Sequence, residues 1–204
     1  MGELVNCCAW APSEYGLMLA AGSADGMISI TFYNEKDFVV VCKLPKAHSE
    51  GVTSLSWGPV VYSYTESNEL QENVAPQDLK LATGSCDQTV YIWTYKDSKL
   101  NLEGSWGHND WVRDVSFAQN AGLPYELIAS CSEDRTVKIF KKNNKGWIES
   151  KVIKFKVSVW KVSWSLVGDL LAIATADNFV YVYEEKEPDK WELISEIDPN
   201  TSNK

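Results

Sequence analysis

One seven-residue frame returns four times along the chain, and no other feature restricts the fold so tightly. It reads Leu19-Ala-Ala-Gly-Ser-Ala-Asp25, Leu81-Ala-Thr-Gly-Ser-Cys-Asp87, Ile128-Ala-Ser-Cys-Ser-Glu-Asp134 and Leu171-Ala-Ile-Ala-Thr-Ala-Asp177. Each copy opens on an aliphatic residue and Ala. Each places a hydroxyl two positions before its end (Ser23, Ser85, Ser132, Thr175) and closes on Asp. Behind each Asp, apolar residues stand at the third and fifth places: Ile28 and Ile30, Val90 and Ile92, Val137 and Ile139, Val180 and Val182. That period of two belongs to strands with a buried face. Ahead of each frame a Val precedes a bulky aromatic by five residues: Val5 and Trp10, Val52 and Trp57, Val112 and Phe117, Val159 and Trp164. A further strand closes each unit, at Phe38–Lys43, Leu100–Trp106, Trp147–Ile153 and Trp191–Ile197.

Four units of four short strands, repeating every 40–45 residues or so, predict an all-β fold, a β-propeller of WD-repeat type. The units run over about 4–45, 50–106, 109–154 and 157–197, within a single domain 1–197 followed by a polar tail at 198–204. The aromatic-to-Asp gap is 15, 30, 17 and 13 residues. The second unit therefore carries an insertion of about fifteen residues, read as a surface loop within about 60–78 from its polar stretch Tyr62 to Gln77.

Charge and cysteine usage narrow the function. The net charge of −9 makes the chain a poor grip for phosphate backbones, so no direct nucleic acid partner is expected. An anionic membrane surface is disfavoured for the same reason. No apolar run approaches the ~18 residues of a membrane span, and Glu3 stands where a secretory leader would be basic or apolar. Cys7, Cys8, Cys42, Cys86 and Cys131 are odd in number and lack metal or redox spacing. They read as buried, reduced thiols of a cytosolic or nuclear protein.

His48, Ser85 and Asp87 could be drawn as a hydrolase triad, and His108, Ser132 and Asp134 repeat the set one unit later. One set per unit is what a packing device does, so no enzyme activity is expected. In WD repeats such a His, a hydroxyl, the turn Asp and a Trp form a buried hydrogen-bond network. Trp93 stands six residues after Asp87, as that network requires. The third unit has Phe140 at the Trp place. The fourth has Thr175, Asp177 and Tyr183 but no upstream His, and the first has Ser23 and Asp25 with Thr31 at the Trp place. The second unit is therefore expected to be the best braced. No ligand spacing points to a metal, and no glycine-rich phosphate loop points to a cofactor. The basic run Lys138–Lys145 reads as a solvated hairpin tip.

The first unit begins directly on its inner strand and the fourth ends on its own outer strand, so no strand is left over to lock a ring. An open propeller leaves edges and an apolar face that a partner's β element would cover.

The wording between the repeats is more specific than the repeats. Trp10-Ala-Pro-Ser-Glu-Tyr-Gly-Leu-Met-Leu-Ala-Ala-Gly-Ser-Ala-Asp-Gly26, His108-Asn-Asp-Trp-Val-Arg-Asp-Val-Ser-Phe117, Gly122-Leu-Pro, Ile128-Ala-Ser-Cys-Ser and Ser158-Val-Trp-Lys-Val-Ser-Trp164 resemble the small β-propeller subunit of the COPII outer coat, the Sec-thirteen family. The resemblance runs from about residue 4 to residue 197. It implies an open six-bladed propeller, a non-enzymatic scaffold that a large α-solenoid partner completes by inserting one more blade. The implied partners are the large COPII outer-coat subunit in ER-to-Golgi vesicle transport, a helical nucleoporin of the nuclear pore Y-complex, and a nutrient-signalling complex. Membrane association would come only through the coat, at the cytoplasmic face of the ER and on vesicles. The alternatives are a generic WD-repeat adaptor presenting peptide-binding loops and a related nuclear-pore propeller. Four units stand where the family has six, so about two N-terminal blades are expected to be missing. Val159, Val162, Trp164, Ile173, Val180 and Val182 of the fourth unit are the expected partner-binding positions.

Overall fold

Alternation dictates the architecture. The computed structural model describes residues 4–60, 78–119, 125–143 and 146–200. Among them the chain makes sixteen strands in four separate antiparallel sheets, each a four-stranded meander. The first sheet holds β1 (Val5–Trp10), β2 (Met18–Ser23), β3 (Ile28–Tyr33) and β4 (Phe38–Leu44). The second holds β5 (Val52–Trp57), β6 (Leu79–Ser85), β7 (Thr89–Lys96) and β8 (Lys99–Gly107). The third holds β9 (Val112–Phe117), β10 (Leu127–Ser132), β11 (Thr136–Asn143) and β12 (Gly146–Lys154). The fourth holds β13 (Val159–Trp164), β14 (Leu170–Thr175), β15 (Val180–Glu187) and β16 (Lys190–Ile197). The insertion expected between residues 60 and 78, the Gly122-Leu-Pro motif and the last four residues of the tail fall largely or wholly outside the described residues.

The Asp that closes each frame builds the turn between the second and third strands. The residue after it takes a left-handed backbone in every sheet: Gly26 at φ 80°, Gln88 at 69°, Arg135 at 67° and Asn178 at 68°. A carboxylate oxygen accepts the N–H two residues on in three of them, from Met27, Thr89 and Thr136. That is the Asx-turn geometry for which Asp is favoured. Glycine is required at Gly26 for a second reason, since a Cβ there would lie 2.2 Å from the His48 carbonyl oxygen.

Blades stack face to face through three apolar clusters, one between each consecutive pair. Ile28 and Ile30 meet Val52, Trp57 and Leu81. Val90 and Ile92 meet Val112, Val115 and Phe117. Val137 and Ile139 meet Val159, Val162 and Ile173. From the second blade on, each inner-strand Val seats on a small residue of the preceding blade. Val52 lies over Gly22 and Val112 over Gly84, where a Cβ would stand 2.6 Å and 2.7 Å from the Val Cγ1. Cys131 holds the equivalent place beneath Val159.

The inner strands β1, β5, β9 and β13 are sheet edges, so half their backbone groups have no partner within their own sheet. Neighbouring blades supply the partners. Trp57 Nε1 donates to the Ala9 carbonyl at 2.9 Å and Trp164 Nε1 to that of Ser116 at 3.0 Å. Ser56 Oγ accepts the Phe117 N–H at 3.0 Å, and Thr53 Oγ1 donates to the Val112 carbonyl at 2.6 Å. Buried Asp114 joins three blades. Its carboxylate accepts from Ser54 Oγ at 2.6 Å, from Lys161 Nζ at 3.0 Å and from the Val162 N–H at 3.1 Å. The fourth inner strand does not return to the first, and the ring stays open.

Gly84→Ala is expected to lower stability by about 1–3 kcal/mol, because the added methyl overpacks the Val112 contact. Gly107→Ala meets nothing within 4 Å and should stay within about 0.5 kcal/mol of the parent. Urea melts of both variants check the pair, and equal midpoints would refute the seating of Val112 on Gly84.

Candidate functional site

The second blade carries a complete polar relay. Trp93 Nε1 can only donate, and it reaches Thr83 Oγ1 at 3.0 Å. The Thr83 hydroxyl is therefore free to donate to His48 Nε2 at 2.8 Å. That leaves the proton on Nδ1, which donates to Asp87 Oδ2 at 3.0 Å. Asp87 also accepts the Ser49 N–H at 2.9 Å and the Thr89 N–H at 3.0 Å. The relay ties the loop before β5 to the turn after β6, both within one blade. In the third blade His108 repeats it with Asp134 at 3.0 Å and Ser130 Oγ at 2.8 Å. Phe140 ends the chain of donors there and stacks on Trp106, with centroids 4.1 Å apart.

The central hydroxyl is not the one the spacing singled out. Thr83 and Ser130, four residues before the Asp, hold the imidazoles. Ser85 instead donates to the Gly51 carbonyl at 2.9 Å and accepts the Asp87 N–H at 3.1 Å. Ser132 does the same with the Asp110 carbonyl and the Asp134 N–H, both at 3.0 Å. Neither Ser touches a His, so the triad geometry is not formed. The reason is strand parity: residues two apart share a face, and the imidazole sits beside the middle of the strand rather than its end. In the fourth blade Thr175 donates to Asp177 at 2.6 Å, and in the first Ser23 donates to Asp25. Thr31 turns instead to the Leu19 carbonyl.

Burial works against the Asp87 carboxylate, but hydrogen bonds from His48 and Thr89 outweigh it and hold its pKa well below the usual range. Burial likewise opposes Asp134, and the Asn109 N–H, Thr136 and His108 overcome it. His108 is lowered from its ordinary value, chiefly by burial. All five cysteines are free, but only Cys131 is buried: Cys7, Cys42 and Cys86 are half-buried and Cys8 is exposed, because they lie on strand faces and turns that the neighbouring blades do not fully cover. Burial pushes the Cys7 thiol up to about 11 and Cys131 well above its ordinary value, so both are unreactive at neutral pH. Among the described residues no three His, Cys, Asp or Glu side chains cluster to hold a metal ion, and no helix is long and apolar enough to cross a membrane. The described lysines of the basic run are engaged within the fold: Lys138 with Glu149, Lys141 with Asp189 and Lys142 with Glu103.

The two ends of the arc present the two halves of the interface that recurs three times inside it. On the first blade Val5 and Trp10 are 64% and 57% exposed, whereas their counterparts Val52 and Trp57 are 0% and 5% exposed. On the fourth blade, Ala172 and Ala174 occupy the seats that Ala82 and Gly84 provide inside the arc, beside Val180 and Val182 at the places of Val90 and Ile92. Of the six expected partner-binding positions, Val180 and Val182 are half-buried and lie on the strand face away from the third blade. Val159, Val162, Trp164 and Ile173 turn the other way and pack against the third blade. An inner strand packs its Val and aromatic residues backward onto the preceding blade, and Ile173 shares the face of Leu171. Only alternate residues of β14 and β15 reach the open side.

Four-stranded meanders stacked through a shared inner edge, with a His–Asp–hydroxyl relay in the middle blades, define an open four-bladed WD-repeat propeller. The WD domain, G-beta repeat, family matches residues 2–31, 39–94 and 100–141, and the chain belongs to that family. It is similar to the protein transport protein SEC13 of Mycosarcoma maydis, 34% identical over 222 residues that cover 95% of this chain and 60% of the relative. It is similar also to the SEC13 homolog of Drosophila melanogaster, 35% identical over 195 residues that cover 94% and 55%. The chain thus spans about 60% of the length of these relatives.

Asp87→Ala is expected to cost about 1–3 kcal/mol, because it strips the buried His48 N–H of its acceptor. Asp25→Ala, at an exposed turn without a histidine, should shift the melting midpoint far less. Equal losses in a urea titration would refute the relay.

The relay also sets a pH dependence. With its pKa lowered on folding, His108 binds fewer protons in the native state than in the unfolded chain, so stability falls as pH drops below about 6.5. The lowered carboxylates add the same sign further down: their contribution is full above about pH 4 and is lost as pH falls toward the folded value. The denaturation midpoint should therefore decline from pH 7 to 5 and again toward pH 3. A midpoint that rises on acidification would contradict this.

Proposed function

We propose that this chain is a non-enzymatic scaffold of protein transport, working in the outer coat of COPII vesicles between the ER and the Golgi and in the nuclear pore. It would bind a large α-solenoid partner that inserts a β blade at the open edge. The observation that carries this reading is the fourth blade's outward face. Ala172 and Ala174 form a seat between Val180 and Val182, built like the seats that Val52 and Val112 fill inside the arc. A partner strand with a small aliphatic residue and an aromatic five places later would repeat an interface that this fold already makes three times. The resemblance to relatives named as protein transport proteins supports the same reading. So does the geometry of the His–Asp pairs among the described residues, which brace turns rather than open onto a substrate cleft. The cytoplasmic face of the ER, the vesicle coat and the nuclear pore are the locations that follow.

Co-expression with a coat solenoid carrying its insertion blade, followed by size-exclusion chromatography, tests the proposal. A one-to-one complex is expected. Val182→Glu, on the partly exposed open face, should abolish it while leaving the melting midpoint near the parent's. A complex that survives Val182→Glu would move the contact elsewhere, and absence of any complex under conditions where a full-length relative binds would overturn the reading for this chain.

A further inference from the structure

The fourth blade replaces the polar relay with rings. Phe155 stands four residues before Val159, the place held by His48 and His108 in the middle blades. Tyr183 takes the place of Trp93, Phe179 that of Thr89 and Ile173 that of Thr83. Phe155 lies 5.2 Å from Tyr181 and 6.5 Å from Tyr183 between centroids, and Phe179 lies 6.2 Å from Tyr181. These four rings line a cavity of about 390 Å³, together with Lys154, Lys156, Val157, Asp177 and Glu196.

Asp177 lacks the histidine donor that its counterparts Asp87 and Asp134 accept from. Asp87 accepts from an imidazole and from the backbone of the preceding loop, whereas the one side-chain donor to Asp177 among the described residues is Thr175. Glu196, paired across the ladder with Tyr181, makes no ion pair among the described residues. The cavity therefore joins aromatic faces to two carboxylates at the point where the two middle blades insert a hydrogen-bonded histidine.

We propose that this cavity binds an alkylated ammonium group, with trimethylammonium as the best-fitting member. Phe155 and Tyr183 stand at 82° to one another with centroids 6.5 Å apart. A cation held against these rings falls inside the roughly 6 Å over which ring quadrupoles attract cations. A methylated ammonium suits such walls better than a bare one, because it gives up less hydration on entering an apolar site. Asp177 and Glu196 supply the countercharge. Lys154 and Lys156 line the same mouth, so the lining carries no net charge and cannot select cations by long-range attraction. Selection falls to the ring faces, and an anionic flank on the ligand would meet the two lysines.

The test uses the whole chain and follows its aromatic ring resonances by NMR during titration with choline. The control is 3,3-dimethylbutan-1-ol, its uncharged isostere. Choline should give saturable shifts at Phe155, Phe179, Tyr181 and Tyr183, with the isostere at least tenfold weaker. Asp177→Asn should weaken choline several-fold at an unchanged melting midpoint, and Phe179→Leu should do the same through the wall. A trimethyllysine peptide and phosphocholine then distinguish a modified side chain from a headgroup as the source, and tighter binding of either one keeps the site. Equal binding of choline and its isostere would reduce the cavity to an apolar dimple. Either that result, or no saturable shift in a folded chain, overturns the proposal.

Discussion

Everything in this fold depends on how the inner edge of each blade is satisfied. A four-stranded sheet leaves one line of backbone N–H and C=O groups unpaired at its first strand, and burying them unpaired would cost several kcal/mol over a blade. The chain solves this with side chains from the neighbours: the Trp57 and Trp164 indoles, the Ser54 and Ser56 hydroxyls, and the Asp114 carboxylate that holds three blades at once. The same contacts set the spacing at which Val52 and Val112 seat on Gly22 and Gly84. Polar satisfaction and apolar packing thus enforce one distance between blades, and neither can relax without disturbing the other.

The relay of His48, Thr83, Trp93 and Asp87 is a second layer on that frame. It braces the outer loop of a blade against its own tight turn, while the inner edge braces one blade against the next. The gradient along the arc follows from the donors available. The second blade has all of them, the third lacks the indole because Phe140 is packed flat on Trp106, and the fourth has exchanged the imidazole for Phe155. Where the relay is complete the turn carboxylate is hydrogen-bonded internally. Where it is lost, at Asp177, the carboxylate borders an aromatic cavity. A vacated structural role and a candidate binding role therefore fall on the same residue, because a carboxylate that accepts, among the described residues, only from Thr175 has lone pairs left for an external partner.

The open ends have the same origin. An interface made of a knob and a seat has no mirror symmetry, so an arc of such blades must finish with knobs at one end and seats at the other. Val5 and Trp10 are the knobs and Ala172 and Ala174 the seats. A blade contributed from outside need only copy the internal pattern to be accepted, which is why complementation by a partner is a natural use of this geometry.

How much of this was legible in the residues differs by level. The four sheets, their strand order and the Asp turns follow from period-two alternation and from the fourfold frame, since both are local properties of the chain. The outer strands were placed from sequence to within a residue or so at each end, as at Phe38–Leu44 and Lys190–Ile197. The identity of the relay hydroxyl was not legible, because Ser85 and Thr83 lie on the same face and only the height of the imidazole beside the strand chooses between them. Nor was the direction in which the fourth blade's apolar residues point: Val159 and Val180 look alike in sequence, yet one packs backward and the other faces the opening. The repeat, the strands and the turns are readable from the residues, because each is settled within a few positions of the chain. Which face of a strand is interior, which donors reach Asp114 and Asp177, and where the cavity lies emerge on folding, because they depend on the distance between blades, which no single repeat contains.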